Sequence, residues 1–208
     1  MSKNKFEILQ MEPKFTNSVL VTSGADAVIF DAWGRGDAWE NLLNTRKLNL
    51  RAIYATHGHT DHISAAPELA RIYGVPWYMN LRDLSLIPWG QQILDVWELP
   101  RIPDDFVRPN DLQPGKTKIL GDIDMEIIAA PGHSAGGVMF YFPEYKILLS
   151  GDTIFHDGVG RTDLPGGNAD ELGKTISDLI ARDLPDDTYV VHGHGMDSMM
   201  HDIKAKFC

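Results

Sequence analysis

Apolar residues come along this chain in short bursts, and the spacing within each burst separates strand from helix. "FEILQM" (6–11), "SVLVTS" (18–23) and "AVIFDA" (27–32) are dense in β-branched and aromatic residues. They are broken by the turn formers Pro13, Asn17, Gly24 and Asp26, which predicts three strands. A helical spacing follows over Asp37 to Lys47, then a buried strand, "RAIYAT" (51–56). "DHISAAPELARIYG" (61–74) has apolar positions at helical intervals with Gly74 as its stop, and "VPWYMN" (75–80) predicts another strand. Residues 81–114, with Trp89, Trp97, Phe106 and five prolines, fit neither period. The second half repeats the theme. "MEIIAA" (125–130) leads into "PGHSAGG", "VMFYF" (138–142) follows, and "KILLSG" (146–151) leads into "DTIF". A helix covers "ADELGKTISDLIAR" (169–182), and "TYVVHG" (188–193) leads into "HG".

Two halves built alike predict an α/β protein, an αββα four-layer sandwich of two sheets covered by helices, with its reactive loops along one edge. At 208 residues and 43% apolar the chain can bury one substantial core, so a single domain over 1–208 is expected, without short repeats or low-complexity tracts.

Chemistry concentrates where strands end. In "YATHGHTDHIS" (54–64) three histidines and an aspartate fall within six positions, His57 to His62. Residues two apart in an extended loop point the same way, so His57 and His59 can converge on one metal. Asp61 and His62, at the start of the next helix, turn toward a second point, and the spacing suits two metals better than one. A lone histidine is usually a satisfied side chain, but four ligand-type residues in one loop reverse that expectation. Candidates for the remaining ligands stand at other strand ends beside glycine: His133 in "APGHSAGG", Asp152 in "LLSGDTIF" and His194 in "VVHGHG".

In this order, the H-x-H-x-D-H loop, P-G-H-S, S-G-D-T and G-H-G resemble the metallo-β-lactamase superfamily over nearly the whole chain. The resemblance implies that fold. It implies that His57, His59 and His133 hold one metal, that Asp61, His62 and His194 hold the other, and that Asp152 bridges them, with Asp61 and Asp152 serving catalysis as well. It implies two divalent ions, zinc first, with iron or manganese accommodated because the ligands are nitrogen and oxygen. Asp31 in "IFDAWG" matches the family's "IDPG" strand end and would orient a ligand-bearing loop from behind. A hydroxide bridging the ions would attack a carbonyl polarised by the second metal, with no serine or cysteine nucleophile.

Aspartate at 152 speaks against the thiol-ligand lactamases. "GVGRTDLPGG" (158–167) resembles the loop of short type II glyoxalases, the hydroxyacylglutathione hydrolases, and of the related persulfide dioxygenases, with "TDLPGG" nearer the glyoxalase form. A metal-dependent thioesterase is therefore the leading expectation. A mononuclear iron dioxygenase, with His57, His133 and Asp152 on the iron, is the runner-up. Another hydrolase of this fold, such as a lactonase, or a non-catalytic metal-binding protein comes after. By the same resemblance Arg161 pairs with a substrate carboxylate, against the plainer account of a solvated arginine in a Gly/Pro turn. Against the larger glyoxalases, whose C-terminal helical domain helps grip the glutathione moiety, the expectation is a chain without that domain, so the grip on a glutathione moiety is left unassigned. It also places the extra His192 where the family more often has an apolar residue or proline. His192 is an alternative to His194 as ligand, the G-H-G match favouring His194, while His156 and His201 read as surface or supporting residues. Trp89, Trp97 and Phe106 could form a flap or a dimer contact, but core packing is the simpler account, as for Met199 and Met200.

Charge and cysteine count narrow the partners. A net charge of −10, from 19 basic and 29 acidic residues, argues against nucleic acid or an anionic membrane. The expected partner is a small-molecule substrate, such as a glutathione or other thiol conjugate, drawn to a locally cationic site. Monomer and homodimer are equally compatible with the sequence. A single cysteine, Cys208, reads as an idle thiol, and the absence of a signal-like start or a long apolar run predicts a cytoplasmic protein.

Overall fold

The structure, a computed structural model, describes residues 4–207; Cys208 lies outside them. Two compact units divide the chain after Leu112. The first is built on a six-stranded sheet in the order β1-β2-β3-β4-β5-β6. Its strands are β1 (Asn4–Leu9), β2 (Ser18–Ser23), β3 (Asp26–Phe30), β4 (Asn49–Tyr54), β5 (Trp77–Met79) and β6 (Asn110–Asp111). β1, β2 and β3 form an antiparallel meander, and from β3 onward the pairings are parallel. The unbroken apolar run of β3 fits this, since parallel strands are covered on both faces.

Helices link the parallel strands: α1 (Gly36–Arg46), α2 (Thr60–Ile63), α3 (Ala66–Tyr73) and α4 (Leu86–Val96). Trp33, Trp39 and Trp77 are fully buried among Leu43, Ile53, Ile63 and Leu69. Each indole N–H donates to a loop carbonyl, of Pro13, Trp33 and Val107 respectively, as buried tryptophans must. The expected helix over 61–74 is two pieces. Pro67, without an N–H, sits in the first turn of α3, where no helical bond is required, and a fresh helix begins there. Gly74 ends it in the left-handed conformation, φ 63°. The region that fitted neither period holds a 3-10 turn, Leu81–Asp83, and α4. Trp97 packs on Phe15 and Trp33, and Phe106 on Trp77, so these two aromatics belong to the packing of this unit.

The second unit carries β7 (Gly115–Ile119), β8 (Ile123–Ala129), β9 (Val138–Phe142), β10 (Ile147–Gly151), β11 (Tyr189–His192) and β12 (Ser198–Met199), in the order β12-β11-β10-β9-β8-β7. Only β10 and β11 pair in parallel, joined by α5 (Ala169–Ala181). The short β12 leads directly into α6 (Met200–Phe207). Leu172, Ile176 and Leu179 of α5 pack with Leu148, Val190, Met200 and Ile203. Met200 is thus core. Among the described residues no helix is long and apolar enough to cross a membrane.

Asn168 caps α5, its Oδ1 accepting from Asp170 N–H and Glu171 N–H at 3.0 and 3.1 Å. Asn168→Ala removes an acceptor for two orphan donors and is expected to cost about 1 kcal/mol of stability. Urea unfolding followed by circular dichroism checks this, as a lowered midpoint with an unchanged slope.

Candidate metal centre

Strand β4 ends at Tyr54, and the chain crosses Thr56, His57, Gly58 and His59 before α2 begins. His57, His59, Asp61 and His62 are all at most 8% exposed. Burying polar side chains at this density is costly unless partners satisfy them.

Asp31, itself buried at the end of β3, supplies much of that satisfaction. Its Oδ1 accepts from Thr56 N–H at 2.7 Å, and its Oδ2 accepts from the Thr56 hydroxyl at 2.8 Å and from His62 Nδ1–H at 2.9 Å. Because the Thr56 hydroxyl gives its hydrogen to Asp31, its oxygen is the acceptor for His57 Nδ1–H at 3.0 Å. One carboxylate therefore fixes the tautomer of two imidazoles, with the proton on Nδ1 and the lone pair on Nε2. The loop backbone is held as firmly. Gly58 N–H donates to Asp83 Oδ2 at 3.0 Å, Thr60 Oγ1 to Gly90 O at 2.9 Å, and Thr16 Oγ1 to Asp61 O at 2.8 Å. A Cβ on Gly58 would stand 2.6 Å from Asp83 Cβ, and one on Gly90 2.7 Å from Thr60 Cγ2, so both glycines are required by close approach. Asp83, fully buried, was invisible in the sequence because it lies in the region without a period. The Trp89 ring on α4 lies 6.2 Å from the His59 ring.

The second unit presents its own donors. His133 follows β8, Asp152 follows β10 and His194 follows β11. His133 Nδ1–H donates to Arg161 O at 2.8 Å, which again leaves the lone pair on Nε2. Asp152 Oδ2 stands 3.6 Å from His133 Nε2 and 3.3 Å from His194 Nε2; in the first unit, His62 Nε2 stands 3.8 Å from Asp61 Oδ2. Good N–H···O bonds are shorter, about 2.9 Å. Two ligands sharing one tetrahedral ion at about 2.0–2.1 Å lie about 3.4 Å apart. The separations therefore suit atoms directed at a common cation, and neutral imidazole with carboxylate is a donor chemistry that zinc, iron and manganese all accept.

The loop after Asp152 explains how Arg161 reaches His133. A Cβ on Gly160 would fall 1.9 Å from Asp152 O and 3.1 Å from His133 Cβ, so only glycine lets the chain fold back there. The Arg161 guanidinium meanwhile forms a two-pronged pair with Asp163, both N···O distances 2.7 Å, on the exposed surface. That bond draws the Asp163 carboxyl down to about 2. Arg161 thus contributes its carbonyl to His133 and directs its charge outward.

His192 is 1% exposed, with Nδ1 3.0 Å from Ser150 Oγ and Nε2 2.9 Å from Ser198 Oγ. Both ring nitrogens are engaged by hydroxyls, and burial pushes the imidazole down to about 4, so it stays neutral. It joins β10 to β12 across β11 and offers no lone pair to a metal. His156 Nδ1 meets Ser198 Oγ at 3.2 Å, and the exposed His201 pairs with Asp202.

Buried His and Asp donors on the loops of a two-sheet α/β protein define a metal-dependent class. The profile of the Metallo-beta-lactamase superfamily matches residues 11–194. The chain is 33% identical over 197 residues to the probable metallo-hydrolase YqgX of Bacillus subtilis (strain 168), covering 92% of this chain and 90% of that protein. It is 33% identical over 177 residues to the hydroxyacylglutathione hydrolase GloC of Haemophilus influenzae, covering 82% and 80%. Among solved structures it is similar to the BLEG-1 B3 metallo-beta-lactamase, at TM-score 0.83 and 29% identity over 95% of each chain. It is likewise similar to TTHA1623 in a di-iron-bound form, at 0.82 and 30% over 97% and 98%. This chain belongs to the metallo-beta-lactamase superfamily, a superfamily of metallo-hydrolases, and has its α/β fold.

Asp31→Asn keeps the shape of the side chain but removes the charge that faces His62 and Thr56. Metal affinity is expected to fall about 10- to 100-fold, read by competition with a chromophoric chelator, while the circular dichroism spectrum is retained.

Proposed function

We propose that the protein is a metal-dependent thioesterase of the hydroxyacylglutathione hydrolase type. One observation carries the metal-dependent part of this reading: the Asp152 Oδ2 atom that faces both His133 Nε2 and His194 Nε2. A single carboxylate oxygen directed at two imidazoles suits a ligand shared between two ions. In this reading His57, His59 and His133 would hold one divalent ion, Asp61, His62 and His194 would hold the second, and Asp152 would be shared by both. Divalent ions at these residues would supply a coordinated water with its pKa lowered toward about 7 and a Lewis acid for the attacked carbonyl. The chain's own groups do the positioning. Asp31, Thr56 and the Arg161 carbonyl hold the Nδ1 protons of His62, His57 and His133, so these three imidazoles are oriented with Nε2 as the donor atom. Zinc is the first choice of metal, and the likeness to a protein solved in a di-iron form supports iron as well.

The likeness to GloC supports glutathione as the thiol carrier, and the single cysteine supports a cytoplasmic site of action. Arg161 is the candidate partner for a substrate carboxylate, which would exchange with Asp163 in the guanidinium fork. A second reading, β-lactam hydrolysis, is favoured by the likeness to the BLEG-1 lactamase.

Elemental analysis of freshly purified protein, with hydrolysis of S-D-lactoylglutathione in the same sample, tests the proposal. Nearly two ions per chain and thioester cleavage that is lost on chelation are expected. One iron per chain, no cleavage and oxygen uptake with glutathione persulfide would assign the protein to the dioxygenases, and opening of a cephalosporin without thioester cleavage would assign it to the lactamases. Asp152→Ala is expected to lower kcat by about a thousandfold or more with the fold retained. Arg161→Ala is expected to raise KM for the glutathione thioester about three- to tenfold with kcat little changed; an unchanged KM would return Arg161 to a surface role.

A further inference from the structure

Between the chain that leaves Asp152 and the loop after β11 lies a cavity of about 370 Å³ lined by Phe155, His156, Asp157, His194, Gly195 and Met196. It begins at a donor of the candidate metal centre: the Phe155 ring lies 6.3 Å from the His194 ring. Its apolar walls are a phenyl ring and a thioether, set beside the imidazoles of His156 and His194, and Met196 is 69% exposed, a large apolar side chain held in water. No lysine or arginine lines it. Lys206, the ammonium group beside it, donates to the His156 carbonyl at 2.5 Å. The one formal charge in the lining is the carboxylate of Asp157.

These walls discriminate between the two ends of a thioester. Glutathione carries two carboxylates and one ammonium; neither carboxylate finds a cationic partner in this lining, and Asp157 could pair only with the ammonium. An uncharged hydrocarbon group loses nothing there and gains contact with Phe155 and the adaptable Met196. The volume is near the lower end for small-molecule pockets, suited to a chain of a few carbons rather than a tripeptide. Resting on the thioesterase reading and deepening it, we infer that the Phe155–Met196 cavity is the acyl pocket, and that the preferred substrates are thioesters of apolar aliphatic acids extending several carbons from the reacting carbonyl.

The test separates binding from turnover. S-methyl-, S-butyl- and S-hexylglutathione are thioethers and cannot be hydrolysed; their dissociation constants for the metal-loaded protein are measured by calorimetry, with the Met196 methyl resonance followed by NMR. Affinity is expected to rise about fourfold per methylene, with the Met196 signal shifting as the longer ligands bind. Phe155→Ala and Met196→Ala are each expected to flatten that dependence. In parallel, kcat/KM for S-acetyl-, S-butyryl- and S-hexanoylglutathione is expected to rise with chain length in the wild type and much less in the variants. Affinity independent of length, or a length dependence that persists in both variants, would overturn the acyl pocket even if the thioesters are cleaved. Length-dependent binding at Met196 with no thioester cleavage would uphold an apolar-ligand pocket and overturn the thioesterase function instead.

Discussion

The Asp31 carboxylate is the constraint on which the first unit's donor loop depends. It takes three hydrogen bonds, from Thr56 N–H, the Thr56 hydroxyl and His62 Nδ1–H, and through that hydroxyl it also governs His57. Without it a buried imidazole, a buried hydroxyl and a buried amide would lose a partner together, each a desolvation penalty of about 1–3 kcal/mol. Asp31 occupies this position at φ 52°, in the left-handed region that aspartate tolerates better than most residues, at a cost of about 1–2 kcal/mol. The backbone there is anchored too: Asp31 N–H donates to Tyr54 O, and its carbonyl accepts from Ser18 Oγ. Strain is accepted at one residue so that two neighbouring ligand-type residues keep one orientation.

The second unit solves the same problem with backbone. His133 is oriented by a carbonyl, that of Arg161, which reaches it only because Gly160 has no side chain to collide with Asp152. A charged second partner in one unit and a peptide oxygen in the other have the same outcome for the imidazole, a proton held on Nδ1. They differ in electrostatics, since one partner carries a formal charge and the other does not.

Much of this was legible in the sequence, for a physical reason. Strands β2, β3, β4, β9, β10 and β11 and helices α1 and α5 are marked by dense or periodic burial, and His57 to His62 announced themselves by crowding. Elements stabilised by something other than their own pattern escaped. β7, "GKTKI", buries only Ile119 and exists because β8 supplies its hydrogen bonds. α4 carries Pro88 and Gly90, which read as breakers. Pro88 falls in the first turn, where it costs little, and Gly90 is there because Thr60 leaves no room for a side chain. Asp83 and the Thr56 hydroxyl support the loop across distances of 25 residues, a relation no local spacing reveals. His192 was noticed for its type, but only its two serine partners show it to be a strand clamp.

The tryptophans have a consequence of another kind. All five, Trp33, Trp39, Trp77, Trp89 and Trp97, lie before Gln113, three of them sealed in one core with their indole N–H groups bonded. Intrinsic indole fluorescence is therefore emitted from the first unit, whereas the strands that carry His133, Asp152 and His194 contain no indole. Set beside the far-ultraviolet signal of the whole chain, that built-in asymmetry makes the molecule its own reporter of whether the two units melt as one cooperative body or in succession.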